Sequence, residues 1–208
     1  FENKNKNFNI YSKSDKINFL ENFDINIYID FCFDKNLSEL SANQFVESIL
    51  IKKLNIRDLI VGKDFKFGKN RSGDFKILKN YSKKNNFEIH IVDSIMQSDN
   101  SDKYSSSIIR ENIKNGKIEN VNFALGRCWH MSSKVIEGDK RARKINFPTA
   151  NMIPGKHIHP RKGVYCTQVY FNDEKYLSIS NFGERPTVDG SKLLLETHIF
   201  NFNQEIYG

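Results

Sequence analysis

Residues 146–151 place a proline, a threonine hydroxyl and an asparagine carboxamide directly after a run of basic residues. Between positions 134 and 162, eight Lys and Arg residues stand against two acids, a local net charge of +6. Thr149 and Asn151 are two residues apart, so their side chains point to the same side of an extended segment. Oxygen ligands of this kind suit nucleotide-bound Mg²⁺, and basic groups suit phosphate. The segment therefore predicts a Mg²⁺-nucleotide site, although a turn closed by an Asx hydrogen bond would use the same residues.

A single carboxylate, Glu196, stands inside the otherwise apolar residues 193–200. It lies either on the exposed face of a strand or in a cleft. In a cleft it could act as a general base that takes a proton from a substrate hydroxyl. His198 has the same parity in a strand and points to the same face. We expect His198 to be a packed or surface residue rather than a catalyst.

Two segments of the first half could bind phosphate. Residues 61–75 follow a predicted parallel strand, where ligands of open α/β sheets bind, and combine three glycines with Lys63, Lys66, Lys69 and Arg71. A serine run at 105–107 opens a predicted helix, whose free N–H groups can bind an anion, with Arg110 one turn later. The alternatives are a solvated basic loop for the first segment and plain helix capping for the second.

The elements that must position these residues differ between the two halves. Residues 25–33, 57–62 and 87–95 read as strands, and helices are predicted at 15–23, 41–55 and 73–86. Ser14 or Asp15 is the expected N-cap of the first helix and Ser41 that of the second. Two more helices within 105–126 are separated by Gly116. This alternation predicts a parallel α/β sheet from about 25 to about 120.

After Gly126 the sequence predicts only strands and turns. Residues 163–183 read as a hairpin turning at 172–174, residues 192–202 as a further strand, and residues 127–140 as another. An antiparallel barrel or sandwich is expected, with the domain boundary near 123–126.

Composition narrows the class of protein. The 208 residues carry a net charge of +7, which permits anionic partners, and no apolar run reaches the roughly 18 residues of a membrane span. The three cysteines form no CxxC pair, so we expect buried or half-buried free thiols in a reducing cytosol. His157 and His159 have ligand-like spacing but no evident third ligand. We expect a cytoplasmic protein without a membrane partner, and a fragment that lacks both ends of its family's usual length.

Seven ordered segments together resemble the bacterial bifunctional riboflavin kinase/FMN adenylyltransferases, also called FAD synthetases. They are LSANQFVESILIKKL, VGKDFKFGKNRSGD, SSSIIRENIKNGKIENVNFALGR, EGDKRARKINFPTAN, KGVYCTQV, SNFGERPTVDG and LLLETHIFNF. The resemblance implies an α/β nucleotidylyltransferase (Rossmann-like) domain at 1–123, followed by an all-β riboflavin kinase barrel at 124–208. It also implies ATP-dependent phosphorylation of riboflavin to FMN and adenylylation of FMN to FAD.

The resemblance further implies a role for each matching residue. Glu196 would be the kinase base, and Thr149 and Asn151 would bind Mg²⁺ together with ATP. The residues implied to contact ATP or its phosphates are Gly138, Asp139, Lys140, Arg143, Asp64, Ser106, Ser107 and Arg110. Those implied to contact the flavin are Phe67, Arg185 and Thr187. The implied partners are riboflavin, FMN and ATP, with no nucleic acid, and the sequence does not determine the oligomeric state.

Two further readings stay open at this point. The family's His-x-Gly-His phosphate motif is absent from these residues, so we expect this chain not to make FAD by itself, and a kinase-only member with a degenerate first domain is an alternative. A basic nucleic-acid-binding protein with a small β-barrel is a second alternative. It predicts a steep salt dependence of binding, but it does not explain the positions of Thr149, Asn151 and Glu196.

Overall fold

A computed structural model of the chain describes residues 7–96, 103–138, 147–187 and 190–208. The chain divides into two compact units. The first unit is Ile27–Tyr104, and the second combines Asn3–Asn26 with Ser105–Gly208. The division at 104/105 differs from the expected domain boundary at 123/124, which remains a prediction about the family's domains.

All five predicted helices form. The α-helices are α1 Lys13–Glu21, α2 Lys35–Glu39, α3 Ala42–Gln44, α4 Phe75–Asn85, α5 Ser106–Lys114 and α6 Ile118–Leu125. A π-helix, Phe45–Lys53, continues α3, and a 3₁₀ turn covers Lys69–Arg71. Ser41 caps α3 as expected, since its hydroxyl accepts from Gln44 N while the Gln44 side chain accepts from Ser41 N. The N-cap of α1 is Ser12, not Ser14 or Asp15.

The first unit holds a two-stranded parallel sheet. Strands β1 Asp58–Gly62 and β2 Glu88–Val92 pair in register. One apolar core joins the π-helix, β1 and α4 through Val46, Leu50, Val61 and Leu78. The parallel pairing confirms the α/β character of this half.

The strand predicted at 25–33 is wrong. These residues form no strand, and the side chains of Ile27 and Phe33 are 76% and 68% exposed. Within the described residues, their backbone pairs with neither β1 nor β2. An alternating apolar pattern shows that a segment suits a sheet, but a ladder also needs a neighbouring strand to accept its hydrogen bonds.

A five-stranded antiparallel sheet dominates the second unit. Its strands are β3 Val135–Ile136, β4 Ala150–Met152, β5 Gly163–Phe171, β6 Glu174–Thr187 and β7 Gly190–Ile199, in the order β3-β4-β7-β6-β5. The hairpin joining β5 to β6 turns at Asn172 and Asp173, both with positive φ, as tight hairpins require. In the described part of the chain the sheet is open, with β3 and β5 as its edges, so the expected closed barrel remains a prediction.

Buried hydroxyl groups tie three strands of this sheet together on one face. Thr167 Oγ1 lies 2.8 Å from both Ser178 Oγ and Ser180 Oγ, and Ser180 Oγ lies 2.8 Å from Thr197 Oγ1. Because successive residues of a strand alternate between faces, Glu196 lies on the opposite face from Thr197.

The N-terminal segment is part of the second unit's core. Ile109, Ile113, Val121 and Ile158 form a buried cluster on which Ile10 packs. The backbone supports this docking, since Ile158 N donates to Asn9 O at 2.7 Å. A segment at the start of the chain therefore packs against residues from its second half, which the sequence pattern did not predict.

Candidate active site

The central strand β7 presents Glu196 between two asparagines. Asn151 of β4 and Asn181 of β6 are its register partners on either side. Directly opposed residues share a face and lie within reach of one another. The result is a row Asn151–Glu196–Asn181 across three strands, with the carboxylate half-buried at its centre.

Asn151 is the most enclosed member of this row. It is 8% exposed, and its Nδ2 donates to Thr149 O at 3.4 Å. Among the described residues its Oδ1 is buried without a hydrogen-bond partner. A buried oxygen left unsatisfied costs free energy unless a ligand supplies the missing interaction. Asn151 Oδ1 is therefore suited to an electropositive group such as a metal ion.

Gly138 leaves the space that the Asn151 amide occupies. A Cβ atom built on Gly138 would lie 2.3 Å from Asn151 Nδ2 and 2.9 Å from its Cγ. Any side chain at position 138 would have to displace that amide. The structure thus brings two of the predicted ATP and metal residues together, although they are thirteen positions apart in the chain.

Arg185, predicted to contact flavin, lies beside the predicted base. Its Nη1 is 3.5 Å from Glu196 Oε1, and both side chains are half-buried. Arg185 is the register partner of Lys192, which places it on the Glu196 face of the sheet. Arg185 can therefore orient the carboxylate and also add positive charge at this face.

His198 is a residue whose contribution the sequence did not indicate. It lies on the same face as Glu196, as its parity predicted, and its Nδ1–H donates to Pro148 O at 2.8 Å. Its ring also stacks on Phe147 with a centroid distance of 3.7 Å. His198 therefore anchors the segment that leads into Thr149 and Asn151. Only the antiparallel register of β4 and β7 reveals this, because the two segments are about fifty residues apart.

Thr149 and Thr187 are two further residues predicted for this site. Thr149 is half-buried directly before β4, and the backbone of Thr187 ends β6. The predicted ATP contacts Asp139, Lys140 and Arg143 lie outside the described residues.

The predicted residues of the first unit occupy two different environments. Asp64 is exposed, and Lys103 Nζ donates to its carboxylate at 2.6 Å. This hydrogen bond and the charge of Lys103 lower the pKa of the Asp64 carboxyl below its usual value. Phe67 is only 7% exposed and packs against Phe45 and Phe65. Its burial in the core gives it a packing role, and its contact with flavin stays a prediction.

Ser106, Ser107 and Arg110 lie on α5, in the second unit. Ser105 provides the N-cap, accepting from Ile108 N at 3.3 Å, so Ser106 and Ser107 occupy the first helical turn. Arg110 Nη1 donates to Ser106 Oγ at 3.1 Å. Burial lowers the pKa of the Arg110 guanidinium, which nevertheless stays charged at neutral pH.

Two other groups have metal-ligand chemistry. Ligand atoms of Asp58, Glu88 and His90 lie within 4.8 Å of one another on the exposed surface of the parallel strands. His157 is buried and His159 bonds to Gly155 O at 2.9 Å. In the described part of the chain, neither histidine belongs to a cluster of three ligands.

Comparison with known proteins gives the same family for both halves. A family model described as FAD synthetase matches residues 1–108, and one described as riboflavin kinase matches residues 125–208. A relative from Haemophilus influenzae, named bifunctional riboflavin kinase/FMN adenylyltransferase, is 35% identical over 100% of this chain and 67% of its own length. The chain belongs to this family of bifunctional enzymes.

Other family members agree with this assignment. The Buchnera aphidicola (Schizaphis graminum) relative is 38% identical over 99% of this chain and 66% of its own length, and the Bacillus subtilis relative is 34% identical over 93% and 61%. The chain thus spans about two thirds of the length of these bifunctional riboflavin kinase/FMN adenylyltransferases.

A solved structure shares the fold. It is titled as a macrolide-efflux protein from Streptococcus pneumoniae, and it matches with a TM-score of 0.84 and 29% identity over 96% of this chain and 64% of its own. Within the described ranges of the present chain, every helix is too short or too polar to span a membrane.

Proposed function

We propose that the protein makes flavin cofactors, phosphorylating riboflavin to FMN and adenylylating FMN to FAD with ATP. The family assignment supports both activities. The observation that carries the kinase proposal is the row of Asn151, Glu196 and Asn181, in which the register partner of the carboxylate has a buried amide oxygen without a hydrogen-bond partner among the described residues. A glutamate with only a structural role on an exposed face would not require a buried amide oxygen next to it.

Glu196 is the proposed general base of the kinase. Its carboxylate would take the proton from the ribityl 5′-hydroxyl of riboflavin as that oxygen bonds to the γ-phosphorus of ATP. The bond from the γ-phosphorus to the bridging oxygen breaks, and ADP leaves with that oxygen. Arg185, 3.5 Å from Glu196 Oε1, would orient the carboxylate. Arg185 and Thr187 are the proposed flavin contacts.

Thr149 and Asn151 are the proposed holders of Mg²⁺. The fit is supported by Asn151 Oδ1, a hard oxygen donor that is buried without a partner in the described part of the chain. The ion supplies charge neutralisation on the phosphates of bound ATP. His198 holds the backbone of Pro148 and so fixes the approach to Thr149. Gly138, Asp139, Lys140 and Arg143 are the proposed phosphate contacts.

The adenylyltransferase activity is proposed for the other set of residues. Asp64 would lie near the adenine nucleotide and Phe67 near the flavin. Ser106, Ser107 and Arg110 would bind the phosphates of ATP, a role supported by their position on the first turns of α5. Residues 1–123 would belong to a Rossmann-like nucleotidylyltransferase domain and residues 124–208 to a riboflavin kinase barrel. The reactions would take place in the cytoplasm.

The test is a product assay. The product of the complete reading frame is incubated with riboflavin, ATP and Mg²⁺, and the flavins are separated by reverse-phase chromatography, beside its Glu196→Gln variant. FMN followed by FAD is the expected result, with FMN formation lost in the variant. Supplying FMN directly should restore FAD formation to Glu196→Gln, because the proposed base serves only the first reaction.

Glu184→Gln is the matched control. Glu184 lies in the same sheet, but on the opposite face from Glu196, and pairs with Lys162 at 2.7 Å. This variant should form FMN normally. FMN without FAD from the wild-type protein would limit the function to the kinase. No flavin product at all would overturn the proposal, and a steep salt dependence of oligonucleotide binding would then favour a nucleic-acid-binding protein.

A further inference from the structure

Arg110 is held by Phe8, a residue that nothing in the sequence motifs singles out. The Arg110 guanidinium carbon lies 3.7 Å from the centroid of the Phe8 ring. Its Nε donates to Phe8 O at 2.9 Å, so the same residue holds the guanidinium through its ring and its carbonyl. Both residues belong to the second unit.

These contacts leave one edge of the guanidinium available. Nε is bonded to Phe8 O and Nη1 to Ser106 Oγ. In the described part of the chain, Nη2 makes no hydrogen bond. Fixing an arginine side chain costs conformational entropy. Here the contacts with Phe8 and Ser106 already restrict the side chain in the free protein. The guanidinium is therefore fixed before any anion arrives, which favours affinity.

Arg110 also lines a groove that could admit a phosphate. Phe8, Ser107, Arg110, Glu111, Lys114 and Asn115 line a cavity of about 400 Å³. Two of these residues are cationic, one is acidic, and Ser107 offers a hydroxyl in the first turn of α5. Phe8 is one of the lining residues, and the loss of its ring would remove one of the three contacts that hold the arginine.

Phe8 is held in position because the two residues that follow it are hydrogen-bonded to other parts of the second unit. Asn9 O accepts from Ile158 N at 2.7 Å, and Ile10 O accepts from Trp129 Nε1 at 3.0 Å. The backbone on the C-terminal side of Phe8 is thus tied to the core, while its side chain remains 47% exposed. Replacing the ring alone should leave this docking intact.

We propose that Phe8 is a positioning residue for the adenylyltransferase reaction, holding Arg110 in the orientation that receives the phosphates of ATP. The inference rests on the phosphate-binding role proposed above for Arg110. It predicts that the aromatic ring at position 8, and not merely an apolar side chain, determines how well ATP binds for FAD formation.

The test uses the product of the complete reading frame and compares Phe8→Leu, Phe8→Tyr and Arg110→Ala with the wild-type protein. The KM for ATP is measured separately with FMN as substrate, which reports FAD formation, and with riboflavin, which reports FMN formation. An exposed cation–π contact of this kind is worth about twofold to fivefold in affinity. Phe8→Leu should raise KM for ATP by that factor in FAD formation only, and Phe8→Tyr should keep it near the wild-type value.

Two controls separate positioning from folding. Phe123→Leu alters another exposed phenylalanine of the second unit and should change neither KM. The emission of Trp129, the chain's single tryptophan, reports whether the segment around Ile10 is docked, and it should be unchanged in Phe8→Leu. A shifted emission together with equal losses in both reactions would overturn the inference in favour of a structural role.

The remaining outcomes test the positioning role of Phe8 and the phosphate-binding role of Arg110 separately. If Arg110→Ala raises KM for ATP in FAD formation while Phe8→Leu does not, the positioning role is refuted and the proposed function stands. If Arg110→Ala also has no effect, the phosphate-binding role of Arg110 fails and the inference fails with it. Absence of FAD formation by the wild-type protein would overturn the inference and limit the proposed function to the kinase.

Discussion

Replacing Gly138 by alanine tests whether FMN formation depends on the position of the Asn151 amide. The new Cβ would lie 2.3 Å from Nδ2 and 2.9 Å from Cγ of Asn151. The optimal separation of such atoms is about 3.5 Å, so the amide must move by roughly 1 Å. A displacement of that size in a positioning group can cost about a hundredfold in rate. We expect Gly138→Ala to lower kcat for FMN formation by about tenfold to a hundredfold, or about 1.4 to 2.7 kcal/mol in barrier height.

The same substitution should have little effect on stability. The displaced Oδ1 makes no hydrogen bond within the described residues, so the cost is mainly that of an unfavourable rotamer, about 1 kcal/mol. For a chain of this size that corresponds to a decrease of about 2–4 °C in Tm. We therefore expect Gly138→Ala to lower kcat strongly while it lowers Tm only slightly.

The assay measures initial rates of FMN formation by chromatography, with thermal unfolding followed by circular dichroism on the same samples. Gly163→Ala is the matched control, because a Cβ there would meet its nearest neighbour, Tyr165 Cε2, at an ordinary 3.9 Å. A Gly138→Ala protein with wild-type kcat would refute the reasoning, since a carboxamide that tolerates a 1 Å displacement cannot be a positioned ligand.

Three further predictions concern stability. Thr197→Val removes a buried hydroxyl that lies 2.8 Å from Ser180 Oγ, and it should lower the free energy of urea unfolding by about 1–2 kcal/mol. Thr197→Ser keeps the hydroxyl and should lower that free energy less. Asp74→Ala removes the N-cap of α4, which accepts from two backbone N–H groups. It should cost about 1 kcal/mol, and Asp74→Asn should retain most of the cap. Burial lowers the pKa of His157 below its ordinary 6.5; because the unfolded chain then binds the proton more readily, Tm should fall as pH decreases below about 6.5, and His157→Gln should reduce that dependence. A Tm that is independent of pH between 7.5 and 5.5 would contradict the last prediction.

Local signals in the sequence were reliable where the structure depends on neighbours in the chain. Ser41 predicted a helix start because an N-cap depends only on residues within one helical turn, and the structure adds Gln44, which completes a capping box. Asn172 and Asp173 predicted a hairpin because positive φ suits these residues at a tight turn. The strand at 25–33 failed because its alternating pattern does not specify a pairing partner. The cap of α1 is Ser12 rather than Ser14 or Asp15, since several adjacent residues can all cap a helix.

The sequence by itself determined the family, the order of the two halves and the types of residue at the site. Ordered motifs such as PTAN and the serine run carry that information without reference to distance. Only the tertiary structure decided that Asn151, Glu196 and Asn181 form one row and that Phe8 holds Arg110. Antiparallel register and the docking of a distant segment depend on packing between parts of the chain far apart in sequence. No local pattern encodes which of many apolar partners a segment will meet.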